Sequence, residues 1–177
     1  RRAGGEIRGA GDVAHRDVLD AIGPFDEDLE AFGEDVDLSL RARRRGFPLI
    51  YVPEARIVHD LGATYGRYTP RKVFLVERNR VRAAIRSLPM SAVLTMPAWT
   101  ALRLGGLAAA SASGRGWSAR VESGAKRAAL RGLVAGVAAA PDALAKRRAD
   151  ADHWALGEWA MWGHLLKHRV RLRDVLR

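Results

Sequence analysis

Acidic residues are frequent in the first half of the chain, and the run Gly33-Glu34-Asp35 stands where a helix is expected to begin. A helix N-terminus favours an ionised carboxylate by roughly 0.3–1 kcal/mol when the group is exposed, and an ionised carboxylate can act as a base. Acids in a first turn also simply suit the start of a helix. The local sequence therefore leaves a chemical and a structural role open for Glu34 and Asp35.

Three Asp-x-Asp patterns have a spacing that could bind a divalent metal ion. They lie at residues 26–28, 35–37 and 150–152. Three matches in one chain show how easily this pattern arises by chance, and none of them follows a predicted strand. The chain has no cysteine, which excludes disulfides and thiolate metal sites. Any metal ion must therefore be held by His, Asp, Glu or the substrate.

The first half of the chain is predicted to combine helices with short strands. Apolar spacing indicates helices at residues 14–22 and 34–45, and a third that follows Thr69 as N-cap and Pro70 as first residue and runs to about residue 88. The runs 49–52 and 56–58 are rich in β-branched residues and are predicted as strands.

The second half is predicted to be helical and basic. Residues 1–80 hold 14 basic and 14 acidic side chains, so the whole excess charge of +10 lies in residues 81–177. Residues 125–140 are predicted to form a basic amphipathic helix, with an apolar face made by Leu130, Leu133, Val134 and Val137. Residues 154–170 are predicted to form a helix with a basic tail, with an apolar face made by Ala155, Trp159, Trp162, Leu166 and Val170. The uncharged stretch 87–102 is shorter than the roughly 18 residues of a spanning helix, so no transmembrane segment is predicted.

The basic helices suggest a partner for the second half. Lys and Arg beside Leu, Val and Trp suit an anionic membrane surface, where each cation contributes about 1 kcal/mol. An ordinary helical subdomain with a solvated basic face is the alternative. Nucleic acid is not expected as a partner, because the cations alternate with long apolar faces and do not belong to a recognised nucleic-acid-binding motif.

Five short motifs in the first half, taken in order, resemble one known family. They are Gly23-Pro24-Phe25-Asp26-Glu27, the run 33–41 (GEDVDLSLR), Tyr51-Val52-Pro53-Glu54-Ala55, His59, and Arg78-Asn79. This order resembles the second half of the catalytic domain of family 2 glycosyltransferases with the GT-A fold. Pro24 departs from the family, which usually has a glycine there. The resemblance implies an α/β fold, with residues 1–88 as the C-terminal half of a GT-A domain and residues 89–177 as a mostly α-helical extension.

The resemblance also implies roles for individual residues. Asp35 matches the catalytic base and Glu34 is its neighbour in the acidic pair, while Asp26 and Glu27 are expected on the acceptor side. His59 matches a histidine that can help to hold a divalent ion, Mg²⁺ or Mn²⁺, with a loop histidine as the alternative. Arg78 could face a phosphate or simply solvent.

The function implied is an inverting, metal-dependent transfer of a sugar from a nucleotide-sugar donor to a cell-envelope glycan or lipid-linked acceptor. The resemblance is to a rhamnosyltransferase-like enzyme, and galactofuranosyl, glucosyl and mannosyl transfer are also compatible with it. The enzyme is expected in the cytoplasm, peripheral at the inner face of the plasma membrane. The donor-binding half, with the true Asp-x-Asp motif, is expected before Arg1, so these 177 residues alone are expected to be inactive. The alternative is a basic membrane- or nucleic-acid-binding module with an inactive remnant.

Overall fold

The computed structural model describes residues 16–50, 52, 54, 69–112 and 124–168, with side chains omitted for 107–112. Over these residues the chain forms seven α-helices. They are α1 (Arg16–Ile22), α2 (Glu34–Arg44), α3 (Pro70–Ser87), α4 (Met90–Ala112), α5 (Ala125–Ala138), α6 (Ala140–Ala151) and α7 (Glu158–Lys167), with a short 3₁₀ helix at Glu27–Leu29 before α2.

The predicted ends of α2 and α3 are confirmed, and α1 ends at Ile22 as predicted, whereas its predicted start at residue 14 lies outside the described residues. Helix α2 begins after Gly33, whose φ is 84°, and Gly46 follows its end with a φ of 90°. Both values lie in the left-handed region that glycine adopts without a steric penalty. Helix α3 begins after Thr69, whose hydroxyl accepts a hydrogen bond from the Lys72 N–H at 3.4 Å, and Pro70 is its first residue.

The predicted α/β architecture is wrong. The described part of the chain is helical and contains no strand or sheet. Leu49, Ile50 and Val52, from the first predicted strand, are irregular and exposed. A β-prone run becomes a strand only when a neighbouring strand completes its hydrogen bonds, and the described residues supply none. The second predicted strand, 56–58, lies outside the described residues.

Helix α3 is the centre of the structure, because α2, α4, α5 and α6 all contact it. Val81 and Ile85 of α3 form a buried cluster with Ala143 of α6, and Leu133 of α5 and Met96 of α4 pack against this cluster. Helices from both halves of the sequence therefore share one core. The domain boundary predicted between residues 88 and 89 stays a prediction.

Helix α5 packs against α3 through its smallest residues. Ala125, Ala128, Gly132 and Gly136 are buried, whereas Leu130, Val134 and Val137 on the opposite face are exposed. A Cβ atom added at Gly136 would lie 2.7 Å from the Cβ atom of Val81. The predicted helix is thus confirmed, and its close contact with α3 is made by backbone rather than by the large apolar side chains.

The segment before α7 is docked onto the end of α2. The guanidinium of Arg44, which is fully buried, donates to the carbonyl of Leu156 at 3.0 Å and to the carboxylate of Glu158 at 3.1 Å. The Trp154 ring lies 4.1 Å from the same guanidinium. Arg147 of α6 binds the same Glu158 carboxylate at 2.9 Å. These contacts hold α7 beside α2.

Helix α7 differs from its prediction in length and orientation. It begins at Glu158 rather than at residue 154, because the preceding segment is bound to Arg44. Met161 is buried, whereas Trp159 and Leu166 of the predicted apolar face are exposed.

Among the described residues, no single helix has both the length and the apolar character to cross a membrane, although α5 and α6, bent by 51° at their junction, meet the two criteria as a pair.

Candidate functional site

A cleft of about 620 Å³ lies between α2 and α7. Its polar lining consists of Asp35, Ser39 and Arg43 from α2, His164 from α7 and His168 directly after α7. The α2 residues are four apart, and the two histidines are also four apart, so each set lies on one face of its helix. The cleft therefore exists because the Arg44–Glu158 contacts place these two faces opposite each other.

Asp35 lies at the rim of this cleft in the first turn of α2. Its side chain is exposed, and its Oδ1 atom accepts a hydrogen bond from the Val36 N–H at 2.8 Å. The Oδ2 atom has no hydrogen-bond partner among the residues that the structure describes. One oxygen thus fixes the orientation of the carboxylate while the other can receive a proton.

Glu34, the other member of the acidic pair, lies outside the lining of the cleft. Its Oε2 atom is buried and has no hydrogen-bond partner in the described part of the chain. A buried carboxylate oxygen without a donor is uncommon, because its desolvation is not compensated. The predicted catalytic role of Glu34 is not tested by this arrangement.

The loop before α2 is held by Asn79, which is fully buried in α3. The amide nitrogen of Asn79 lies 2.7 Å from the carbonyl oxygen of Leu29, 2.8 Å from that of Ala31 and 2.7 Å from that of Phe32. Within this loop, Phe32 has a φ of 67°, a value that non-glycine residues seldom adopt. Asn79 therefore stabilises the strained backbone that leads into Glu34 and Asp35.

Arg78, predicted to face a phosphate or solvent, instead binds the same loop. Its guanidinium donates to the Glu30 carboxylate at 2.9 Å and to the carbonyls of Asp28 and Leu29 at 3.0 and 3.1 Å. It also donates to the Asn79 side-chain oxygen at 2.9 Å. The Arg78-Asn79 pair thus has a positioning function in this structure. A phosphate could reach Arg78 only if some of these bonds opened.

Asp26 is the centre of an ion-pair network that joins the 3₁₀ helix to α3 and α6. Its two carboxylate oxygens each lie 2.8 Å from Nζ of Lys146, and Oδ2 lies 3.1 Å from Arg86. Arg86 also binds Asp150 at 2.7 Å. For Asp26 to bind an acceptor, one of these ion pairs would have to open. Glu27, the other predicted acceptor residue, is exposed at the first position of the 3₁₀ helix.

The network sets the charge state of its members. Burial alone would raise the pKa of Asp26, but the hydrogen bond and charge of Lys146, with help from Arg86, lower the pKa overall. Burial lowers the pKa of Lys146, but its hydrogen bonds to Asp26 and Asp28 raise this pKa, and the net effect is an increase. Asp26 and Lys146 are therefore both charged at neutral pH, and their ion pair stabilises the contact between the 3₁₀ helix and α6.

Four polar residues of the cleft were not identified from the sequence, namely Ser39, Arg43, His164 and His168. Nη2 of Arg43 lies 2.8 Å from Nδ1 and 2.6 Å from Nε2 of His164, and the His168 ring stacks on that of His164 with centroids 6.3 Å apart. Partial burial and the charges of Arg43, His168 and Lys167 lower the pKa of His164. The spacing of Met161, His164, Leu165 and His168 on one helical face was the signal that could have found this side of α7.

No three His, Asp or Glu side chains among the described residues converge as they would around a metal ion. The three Asp-x-Asp patterns do not change this, because Asp26, Asp37 and Asp150 form ion pairs with Arg86. The predicted metal ligand His59 lies outside the described residues. The described side chains thus do not form a site that fits Mg²⁺ or Mn²⁺.

Comparison with known proteins gives one match. Residues 2–85 match a family model described as glycosyltransferase like family 2. No curated protein and no solved structure matches the chain.

Proposed function

Residues 2–85 belong to the family 2-like glycosyltransferases, and from this premise we propose that the protein transfers a sugar from a nucleotide-sugar donor to a hydroxyl group of a glycan or lipid-linked acceptor. Asp35 is the base in this proposal. The observation that carries it is the position of Asp35 at the rim of the α2–α7 cleft, with one carboxylate oxygen oriented by Val36 and the other without a partner among the described residues.

The proposed reaction is an inverting displacement at the anomeric carbon. The free oxygen of Asp35 takes the proton from the acceptor hydroxyl while that hydroxyl oxygen forms a bond to the anomeric carbon. The bond from this carbon to the donor phosphate breaks, and its electron pair leaves with the nucleoside diphosphate. Asn79 and Arg78 contribute indirectly, since they fix the loop that orients the first turn of α2.

The role of Asp35 is tested by Asp35→Asn, which keeps the shape and removes the base. The protein, expressed from the start codon of its own gene, is incubated with a panel of labelled nucleotide sugars and envelope lipid extracts. Loss of about 10²–10⁴-fold in transfer is expected, with donor binding unchanged. The exposed Asp152→Asn is the matched control. If Asp35→Asn retains full turnover, Asp35 is not the base.

A divalent metal ion remains part of the proposal through His59 alone. No step above depends on it, because the described residues form no metal site. Transfer activity that is lost with a chelator, is restored by Mn²⁺ or Mg²⁺, and requires a higher metal concentration in His59→Ala would support this assignment. Activity that is unchanged by the chelator would remove it.

We also propose that the protein binds to an anionic membrane surface at the inner face of the plasma membrane. Leu130, Val134 and Val137 of α5 are 62%, 61% and 63% exposed and lie on one face of the helix. The exposed cations Lys126 and Arg127 flank them. We call these five residues the α5 outer face. Large apolar side chains that point away from the core, with cations beside them, suit a bilayer interface with anionic lipids.

Sedimentation with lipid vesicles tests the membrane proposal. Binding to phosphatidylglycerol vesicles but not to phosphatidylcholine vesicles is expected. The double variant Leu130→Ser and Val134→Ser should weaken this binding at least tenfold, since each side chain loses about 1.5 kcal/mol or more of burial. Val76→Ser, at an exposed position of α3, is the matched control. Equal sedimentation of the double variant, or retention of duplex DNA at physiological salt in preference to vesicles, would contradict the proposal.

A further inference from the structure

The cleft between α2 and α7 has a chemical character that the transfer reaction alone does not explain. Arg43 carries a positive charge at this cleft and has no carboxylate partner among the described residues. Its neighbours on the same helix differ, because Arg41 binds Asp37 at 2.8 Å and Arg44 binds Glu158 at 3.1 Å. An arginine left without a carboxylate beside a cleft is suited to bind an anion.

His164 supports Arg43 in this function. A guanidinium can only donate hydrogen bonds, so the ring nitrogen of His164 that accepts from Nη2 of Arg43 must be unprotonated. The lowered pKa of His164 agrees with a neutral ring. Because Nδ1 and Nε2 of His164 lie 2.8 and 2.6 Å from Nη2 of Arg43, the ring holds the guanidinium at the cleft, and Arg43 is the donor offered to an anionic group.

The remainder of the cleft is apolar. Val36 and Leu40 of α2 lie on the same face as Asp35 and Arg43, and Leu165 of α7 lines the cleft as well. Asp35 and Arg43 are eight residues apart, which corresponds to about 12 Å along the helix axis. The proton-accepting group and the anion-binding group are thus at opposite ends of an apolar surface.

We propose that this cleft binds an amphipathic phosphate ester. Its phosphate group contacts Arg43, which His164 holds in place, and its organic part covers Leu40 and Leu165. The assignment of this ester as the acceptor rests on the proposed transferase function, and it implies that the reacting hydroxyl lies about 12 Å from the phosphate. Helix α7, outside the family-matched residues 2–85, then determines the choice of acceptor.

Binding is tested with three simple probes by titration calorimetry. Decyl phosphate carries both features, decyl glucoside has the chain without the charge, and inorganic phosphate has the charge without the chain. Decyl phosphate, used below its micelle concentration, is expected to bind at least tenfold more tightly than either of the others. Equal affinity for decyl glucoside would overturn the anion site, and equal affinity for inorganic phosphate would overturn the apolar one.

Variants locate the binding in the cleft. Arg43→Gln should reduce the affinity for decyl phosphate about tenfold or more and leave that for decyl glucoside unchanged, while Arg43→Lys should retain part of it. Leu165→Ser should weaken both decyl probes, whereas Leu130→Ser on the α5 outer face should weaken neither. Arg148→Gln, at an exposed position of α6, is the control for charge. Melting temperatures near that of the unmodified protein show that each variant is folded.

The outcomes separate this proposal from the transferase function. Unchanged decyl phosphate binding in Arg43→Gln, or a loss in Leu130→Ser equal to that in Leu165→Ser, would overturn the phosphate-ester site. Decyl phosphate binding requires no sugar donor and no transfer. If this binding behaves as expected while Asp35→Asn retains full transfer, the site stands and the assignment of Asp35 fails.

Discussion

Asn79→Leu removes the donor that holds the loop before α2 and keeps a side chain of similar shape. In the unmodified protein the amide nitrogen of Asn79 lies within hydrogen-bond distance of the carbonyl oxygens of Leu29, Ala31 and Phe32. The Leu29 carbonyl keeps a second donor, Arg78, at 3.1 Å, so two carbonyls lose their partner. At about 1–3 kcal/mol for each unsatisfied buried group, the expected destabilisation is about 2–4 kcal/mol, because the loop can partly reach water.

Thermal unfolding followed by circular dichroism measures this change. For a chain of this length, a loss of about 3 kcal/mol lowers Tm by roughly 10 °C. The matched control is Arg71→Ala, which touches the same loop through an exposed ion pair with Glu30. Exposed pairs contribute about 0–1 kcal/mol, so its Tm should change by no more than a few degrees.

The same substitution should also disturb the first turn of α2. With the positive-φ loop released, the orientation of Asp35 is less well fixed, and transfer should fall more than donor binding. If Asn79→Leu and Arg71→Ala have the same Tm within about one degree, the Asn79 amide does not hold the loop and the reasoning is refuted.

Three further predictions concern the helix contacts and the ion pairs. Gly136→Ala should lower the free energy of unfolding by about 1–3 kcal/mol, because the added Cβ would lie 2.9 Å from a backbone oxygen of α3. Gly105→Ala, where the added Cβ would meet no neighbouring atom within 4 Å, should be neutral or stabilising in the same thermal unfolding experiment. The lowered pKa of Asp26 means that its ion pair stabilises the fold above the ordinary pKa of 3.8 and that this contribution is lost as the pH falls below it. The Tm difference between the unmodified protein and Lys146→Gln should therefore shrink between about pH 5 and pH 2, and a constant difference would contradict this. Glu158→Gln should cost about 1–3 kcal/mol in denaturant unfolding and weaken decyl phosphate binding, since the buried Arg44 and the largely buried Arg147 lose their carboxylate and α7 loosens from α2. Binding at full strength would show that α7 is held by other contacts.

The sequence was sufficient for local structure wherever a helix has its own start and stop residues. Thr69 before α3, Pro70 at its first position, and Gly33 and Gly46 at the two ends of α2 act on neighbouring backbone, so their effects can be predicted without knowledge of the fold. The five ordered motifs likewise predicted the family, which the match over residues 2–85 confirms. Both successes rest on residues that are close together in the chain.

The fold class could not be obtained in the same way. The β-prone run at Leu49–Val52 has the composition of a strand, but a strand also requires a partner, and partner availability is a property of the tertiary structure. The face that α5 buries was equally hidden. Apolar spacing indicated Leu130 and Val134, whereas the contact with α3 selects Gly132 and Gly136 because they allow the two backbones to approach.

The candidate site shows the same division. The sequence by itself identified Asp35 through its motif and its place at the start of a helix. It also identified the Arg78-Asn79 pair, but not the contacts that this pair makes. Only the tertiary structure showed that Asn79 holds the loop before Asp35 and that α7 lies beside α2. Arg43 and His164 are 121 positions apart, and nothing in local sequence relates two residues at that distance. They become neighbours because Arg44 binds the segment before α7, a contact that depends on the packing of the whole chain.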